Sequence, residues 1–310
     1  MMNALLQKLQ HPGIIFYWPY VLSALLITIF YLIVERRMAL STAVRTIFAK
    51  KVWLTRSTLT DFSLSAGYAL ALSAPAAAFH LFVFNRVSGT LHTAFFGEYR
   101  FVWAMQMHPA LEGLGVAMVA MLSIDFATYV VHRFFHSSQW LWDLHAVHHS
   151  AEQLTFLTTH RQHPLEPFIL NACRGAFAAI GVAMFYFVFP AQTPAMLIMG
   201  MGAGFFVYMF TVNLQHSHVP VRYPRWLRYF VMSPHMHHIH HSAALQHRNK
   251  NFGVIFSFWD RLFGTYLDAD VALGELQFGL DRDADPFQHS LLRCVFYPLY
   301  SPVARILKWR

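Results

Sequence analysis

Charge is what this 310-residue chain has least of: 12% of its residues are Asp, Glu, Lys or Arg, against 56% hydrophobic. Soluble domains average about 25% charged residues. With a positive mean hydropathy, the balance excludes an ordinary soluble domain and points to a polytopic membrane protein with one modest polar part. Cysteine is nearly absent. Cys173 and Cys294 form no motif, which excludes an iron–sulfur cluster or a thiolate zinc site within the chain and gives a disulfide no support. No basic stretch carries interleaved aromatics either. The net charge of +8 is scattered around apolar segments, a pattern that suits anionic lipid head groups better than nucleic acid. Internal repeats and low-complexity segments are also lacking.

What the chain has in excess is histidine, 20 in all, with 15 of them between His132 and His247. They form three clusters: His132-Arg-Phe-Phe-His136, His145-Ala-Val-His148-His149 and His237-His-Ile-His240-His241. Residues at i, i+3 and i, i+4 share one helix face, so each pair can turn its imidazoles toward one ion. Adjacent histidines point about 100° apart on a helix, so a His-x-x-His-His box can serve two metals, or one metal and a neighbour. A lone histidine is most often a solvated or hydrogen-bonded side chain; three boxes together read as a two-metal site.

The apolar segments give a span pattern. Ile14 to Val34 is an uncharged run, about 31 Å long as a helix, which matches the hydrocarbon core. It is too long for a signal-peptide core and is read as a retained first span. Phe62 to Phe84, interrupted by Pro75, is the second span, and about Leu111 to Val131 the third. The apolar stretch between Arg174 and Asn213, with Pro190 and Pro194 near its middle, reads as a helical hairpin: out from about Gly175 to Phe189, back from about Ala195 to Thr211. The short first arm leaves a re-entrant hairpin open. Arg36, Arg37, Arg45, Lys50, Lys51 and Arg56 concentrate in the first connection, which places that connection in the cytoplasm and the N-terminus on the opposite side. Counting crossings then brings all three histidine clusters to the cytoplasmic face. The expected fold is an all-α integral membrane protein of about four transmembrane helices, two of them as the hairpin, with a cytosolic helical cap holding a histidine-rich dimetal site. Residues 1–118 form an N-terminal membrane region, 119–267 the catalytic region, and 268–310 a tail from which a surface-lying amphipathic helix is expected.

On the third span Asp125, Tyr129, His132 and His136 fall on one stripe. An ionisable residue inside an apolar span is costly and functional by default. Asp125 is expected to accept the free ring N–H of a ligand histidine and fix its tautomer; a helix-packing or lipid-interface aspartate is the plain alternative. A carboxylate-bridged di-iron bundle would show two Glu-x-x-His motifs and a zinc protease His-Glu-x-x-His; neither stands near these boxes. The nitrogen-rich set suits a redox metal, and iron with dioxygen is the natural means of attacking an unactivated C–H bond.

The order of boxes resembles the fatty acid hydroxylase/sterol desaturase superfamily of membrane di-iron enzymes. So do the linking residues: Asp125, Trp142-Asp-Leu-His145, Arg161-Gln-His163-Pro164, Pro234, Asn251-Phe-Gly253 and Trp259-Asp-Arg-Leu-Phe-Gly-Thr265. The likeness runs from about Val119 to Leu267. It implies a four-helix stem under a cytosolic cap, with two irons held by His132, His136, His145, His148, His149, His237, His240 and His241. It also implies an accessory ligand ahead of the third box, best matched by His216, and makes His163 a further ligand or a residue behind the ligands. The family often carries asparagine where His218 stands, which puts His218 in doubt as a ligand.

The implied activity is an O2-dependent oxidation of a fatty-acyl, sterol or related lipid. Hydroxylation is expected as the family's broader activity, with desaturation as the alternative on the same ligands. Electrons have to come from a separate ferredoxin, or from cytochrome b5 with its reductase. Arg222, Arg225 and Arg228 are candidates to dock an acidic donor or to anchor on lipid head groups. His11-Pro12-Gly13, similar to a haem-binding element of cytochrome b5 domains, stands alone and is assigned to chance. Two other classes compete: a metal transporter, which would place its histidines near the bilayer midplane, and a metal-stabilised membrane scaffold. The methionine- and aromatic-rich stretch from Met196 to Phe210, with Gly200, Gly202 and Gly204, suits lipid-facing packing or a substrate channel.

Overall fold

A computed structural model describes residues 18–96, 108–189, 211–271, 276–281 and 285–308 of the chain. Every extended element in these residues is helical, and strand pairing is limited to two isolated bridges, Val231 with Phe256 and Ser242 with Phe278. Three helices are long and apolar enough to cross a membrane: α3 (Arg56–Ala94), α4 (Pro109–Ser137) and α6 (Glu166–Val188). A shorter apolar helix, α1 (Trp18–Val34), precedes them. The chain is thus a multi-pass membrane protein by helix length and composition. The expected return arm from Ala195 to Thr211, with Met196 to Phe210, and the His11-Pro12-Gly13 element lie outside the described residues, apart from Thr211 itself.

Two expectations for the spans are corrected. Pro75 does not interrupt the second span. A π turn at Tyr68–Leu72 comes just before it, and the Ser73 N–H reaches back to the Tyr68 carbonyl. Proline lacks an N–H and collides with the carbonyl four residues back; the wide turn loosens the ladder there, and the helix runs through. The first arm after the second box is not short either, because α6 starts at Glu166, within the polar lead, and is 23 residues long.

Helix α4 is the inner member of the stem. Half of its most apolar window is buried inside the protein, against 11% for α3. Helix α6 packs along both, and glycine makes the approach possible. A Cβ on Gly175 would come within 2.6 Å of the His80 carbonyl on α3, and one on Gly181 within 2.1 Å of Ser123 Oγ on α4. Without a hydrophobic driving force between helices in lipid, such small-residue contacts supply the packing.

At its polar end α4 breaks at Ser138 and continues as α5 (Gln139–His149). The third box lies on a short helix, α7 (Pro234–His241), started by the Ser233 hydroxyl accepting from the Met236 N–H and by proline at the first position. The amphipathic α2 (Leu40–Ile47) buries Ala43 and Ile47 against Tyr31, Leu32, Val219 and Val221. The tail forms α8 (Leu291–Lys308), with Leu292, Phe296, Val303 and Leu307 exposed on its outer side. Its inner side is fixed to α5 by Asp143, which accepts from Ser301 Oγ at 2.6 Å and from the Arg305 guanidinium.

Candidate metal centre

The histidines of the three boxes and His216 converge at the junction of the stem helices with α5 and α7, in two groups. His132, His136, His145, His149 and His240 form one, and His148, His216, His237 and His241 the other; within each, one ring nitrogen per residue lies within 4.8 Å of all the rest. In the five-membered group all five Nε2 atoms are buried and lack a hydrogen-bond partner. In the four-membered group the Nε2 atoms press on one another: His148 to His216 at 3.2 Å, His216 to His237 at 2.9 Å and His237 to His241 at 3.1 Å.

Eight buried imidazoles and a half-buried one, with mutually facing nitrogens, are costly unless something binds them. Nitrogens about 2.1 Å from one ion sit about 3.0 Å apart at right angles and about 3.4 Å apart in a tetrahedron, so the short separations fit a shared ion. Burial, reinforced by the neighbouring imidazoles, pushes His145, His149, His216, His237, His240 and His241 well below the ordinary histidine range. Burial likewise takes His148 down to about 3. The rings are therefore neutral at physiological pH, the form that ligates metals. The donor set fits two metal ions.

The nitrogens turned away from the groups are held in place. His132 Nδ1 meets the Phe252 carbonyl at 2.9 Å and His240 Nδ1 the Lys250 carbonyl at 2.8 Å. His145 Nδ1 meets Glu166 Oε1 at 2.8 Å, and His216 Nδ1 meets Thr159 Oγ1 at 3.1 Å. Such partners fix the tautomer and the ring plane, and leave Nε2 as the lone-pair donor.

The loop that carries the two carbonyls explains the residues after the third box. Asn251, at φ 56°, donates to the Met236 and Leu267 carbonyls and accepts from the Leu267 N–H. Asp260 accepts from the Phe252 and Gly253 N–H groups and the Thr265 hydroxyl. A Cβ on Gly253 would fall 2.4 Å from the Phe256 carbonyl, so only glycine fits that turn.

Asp125 belongs to this scaffold and meets no histidine. Its carboxylate accepts from the Ile255 N–H at 2.9 Å, the Phe256 N–H at 3.1 Å and Trp259 Nε1 at 3.0 Å. Asp125 lies on the same stripe as His132 but seven residues before it, about two helical turns, where it meets the loop at Ile255 and Phe256 while His132 meets the loop at Phe252. The carboxylate that does touch a ligand-side ring is Glu166, absent from the expected set. Glu166 lies ahead of the apolar arm read from Gly175 to Phe189, so it lacks the signal applied to Asp125, an acid inside an apolar span; the helix in fact begins at Glu166.

His163 stands apart from both groups. Its Nε2 contacts the Val295 carbonyl of α8 at 2.9 Å and its Nδ1 accepts from the Leu165 N–H at 3.1 Å, so both nitrogens are used in folding the turn before α6. His218 is also distant, with Nε2 3.3 Å from the Thr46 carbonyl. Arg161 is fully buried, paired with Asp61 at 2.8 Å, and donates through Nε to the Val147 carbonyl at 2.9 Å, at the end of α5. Of the three arginines proposed for docking, Arg228 is buried against Asp268 and Asp270 and is not available; Arg222 reaches His235 Nε2 at 3.2 Å. Arg225 is 87% exposed.

Two openings lead to the centre. A cavity of about 190 Å3 reaches His132, His145, His148, His216 and His237 from the side of α3 and α6. A separate, wider cleft of about 900 Å3 reaches His136, His149, His240 and His241 beside Trp142.

The fatty acid hydroxylase family matches residues 117–265. Ornithine lipid hydroxylase OlsE of Rhizobium tropici is 30% identical over 149 residues, covering 48% of this chain and 41% of the relative. Alkylglycerol monooxygenase of Caenorhabditis elegans is 30% identical over 142 residues, 46% of this chain and 25% of the relative. Sphinganine C4-monooxygenase 2 of Arabidopsis thaliana is 29% identical over 154 residues, 48% of this chain and 53% of the relative. The alignments thus span from a quarter to about half of these relatives. No solved structure matches.

Proposed function

The chain belongs to the fatty acid hydroxylase/sterol desaturase superfamily of histidine-box di-iron enzymes, and we propose that it is a membrane-bound lipid hydroxylase. The observation that carries this reading is the pair of buried histidine groups, five and four strong, bordering one cavity that runs between the stem helices. His132, His136, His145, His149 and His240 would hold one iron, and His148, His216, His237 and His241 the other. Bound iron supplies the redox chemistry by which reduction of O2 removes hydrogen from an unactivated carbon.

The chain's own residues make that chemistry selective. Phe252, Lys250, Glu166 and Thr159 aim the rings. The 190 Å3 cavity, with Ala77, Phe135 and Leu170 in its wall, offers an apolar bed to a carbon chain. Hydroxylation consumes the lipid C–H, O2, two electrons and two protons, and yields the alcohol and water. The electrons would come from a separate ferredoxin, or from cytochrome b5 with its reductase, docking over the wide cleft beside Trp142. We place the histidine centre on the cytoplasmic side and the N-terminus opposite, as the basic first connection favours. The three relatives named above are a hydroxylase and two monooxygenases, and their names favour oxygen insertion over desaturation.

The test is metal analysis after anaerobic reconstitution, followed by O2 uptake with a reductase system and lipid extract. Two irons per chain and a product heavier by one oxygen are expected. A product lighter by two hydrogens would make the chain a desaturase. Iron well below two per chain would overturn the di-iron reading.

A further inference from the structure

Helix α8 has two unlike sides. Leu292, Phe296, Leu299, Tyr300, Val303 and Leu307 are each 48–71% exposed, and with successive residues about 100° apart they share an arc of about 100° along the whole helix. Cys294, Pro298, Ser301 and Pro302 are buried on the other side. Single exposed apolar residues are ordinary, but a continuous stripe of this length marks a surface that something covers. The helix carries Arg293, Arg305 and Lys308 and no acidic residue. Arg305 is taken up by Asp143. Arg293 is exposed at the border of the stripe and donates to the neutral Gln288 Oε1 at 2.6 Å, so its charge is not matched there.

The contacts of α8 fix its level in the molecule. Thr60 Oγ1, near the start of α3, donates to the His289 carbonyl at 2.9 Å, just ahead of α8. His163, in the turn before α6, meets the Val295 carbonyl at 2.9 Å. Asp143, in the helix that follows α4, holds Ser301 and Arg305. The 18-residue helix, about 27 Å long, therefore passes from the ends of α3 and α6 toward the end of α4 and extends none of them. Leu59 and Phe62 of α3 and Leu165 beside α6 are also exposed, so the apolar belt of the spans reaches the level of α8 and its stripe continues that belt.

We infer that α8 lies in the leaflet at the histidine-bearing ends of the spans, with its stripe among the acyl chains and Arg293 on anionic head groups, and that from there it braces the second histidine box. An apolar face of this kind sinks about 5–10 Å into the boundary between head groups and chains, and a basic helix without acids suits an anionic surface. The brace is the inner side: Cys294 and Tyr297 pack with Phe287 on Ala146 and Val147 of α5, the two residues between His145 and His148. What holds α8 down therefore holds α5.

The test places the full chain in nanodiscs of phosphatidylcholine and phosphatidylglycerol in equal parts, with p-benzoylphenylalanine replacing Phe296 or Val303 for photo-crosslinking. Lipid adducts are expected at both positions. Phosphatidylglycerol should be captured about fivefold more often than phosphatidylcholine, the effect of one arginine near anionic head groups, and Arg293→Gln should bring the two level. Adducts to a second copy of the chain, or none at all, would assign the stripe to a protein contact or to water and overturn the inference. So would equal capture of the two lipids with Arg293 in place. Hydrogen exchange reads the brace. Phe296→Glu combined with Val303→Glu, both on the outer side, should speed exchange of the α5 amides about tenfold, the size of one apolar side chain's burial; unchanged α5 exchange would overturn the brace. Neither readout needs bound metal, so a chain that holds no iron would sink the oxidase reading and leave this one standing.

Discussion

Arg161→Met should be among the most damaging substitutions outside the histidines. Arg161 and Asp61 are both fully buried, with Nη1 2.8 Å from Oδ1. The guanidinium also donates to the Val147 carbonyl at 2.9 Å and to Ser150 Oγ at 2.8 Å, groups at the end of α5 that have no helical partner of their own. Loss of Arg161 leaves Asp61 in a dry interior with Thr158 Oγ1, at 2.7 Å, as its remaining neutral partner. Breaking a buried pair from one side costs about 3–5 kcal/mol, a large part of a typical total of about 5–15 kcal/mol. The freed turn carries His148 and His149, one from each group, so both groups should loosen together. Chemical unfolding in micelles, read by far-ultraviolet circular dichroism, gives the energy, and iron per chain gives the site. The double variant Asp61→Leu/Arg161→Met leaves no lone charge and should be less destabilised than Arg161→Met alone. A single-variant cost below about 1 kcal/mol, or a double variant worse than the single, would refute the buried-pair account.

Glu166→Gln replaces the carboxyl group that meets His145 Nδ1 with an amide and should weaken metal at the five-histidine group by about 10- to 100-fold, leaving the other group intact; chelator competition that strips both groups equally would contradict this. Asp125→Ala strands one buried donor, the Ile255 N–H, and two half-buried ones, the Phe256 N–H and the Trp259 indole, at about 1–3 kcal/mol for a fully buried group; a loss of about 2 kcal/mol or more is expected in the same unfolding assay, and a loss below about 1 kcal/mol would count against the clamp. For the metal-free protein, burial holds His148 and His238 neutral down to about 3, below the ordinary value of about 6.5 in the unfolded chain. The unfolded state then binds more protons between those values, so stability is full above pH 6.5 and falls as pH drops toward 3, by about 1.4 kcal/mol per pH unit per group. A flat stability profile from pH 6.5 to 4.5 would refute it.

The parts legible in the sequence were those fixed by short-range periodicity. Spacing of three and four residues put the histidines on helix faces, and all eight box histidines and His216 meet in the folded chain. Long apolar runs marked α3, α4 and α6. What spacing leaves open is the partner across the fold. Asp125 sits inside an apolar span and Glu166 ahead of one, yet it is Asp125 that meets a loop 130 residues on and Glu166 that meets a histidine 21 residues back. Nothing local announces either partner. Backbone carbonyls such as those of Lys250 and Phe252 have no sequence signature at all, and His163 looks like a ligand until its two nitrogens are seen to be used in a turn.

The division of the boxes between the groups follows from helix geometry. In the second box His145 and His149, one turn apart, face the five-membered group, while His148, rotated by about 100° from His149, crosses to the other. In the third box His237 and His241 face the four-membered group and His240 crosses back. Each His-x-x-His-His helix therefore gives two nitrogens to one group and one to its neighbour, so neither group can form without both α5 and α7. The pair from α4, His132 and His136, adds to one group and His216 to the other. Metal binding should consequently be coupled: ordering α5 and α7 around the first ion aligns His148, His237 and His241 for the second. His240→Ala takes a ligand from the five-membered group alone, yet it should also weaken the second ion by loosening α7. Independent titration of the two sites in wild type and in His240→Ala would show the helices to be rigid without metal and would defeat this argument.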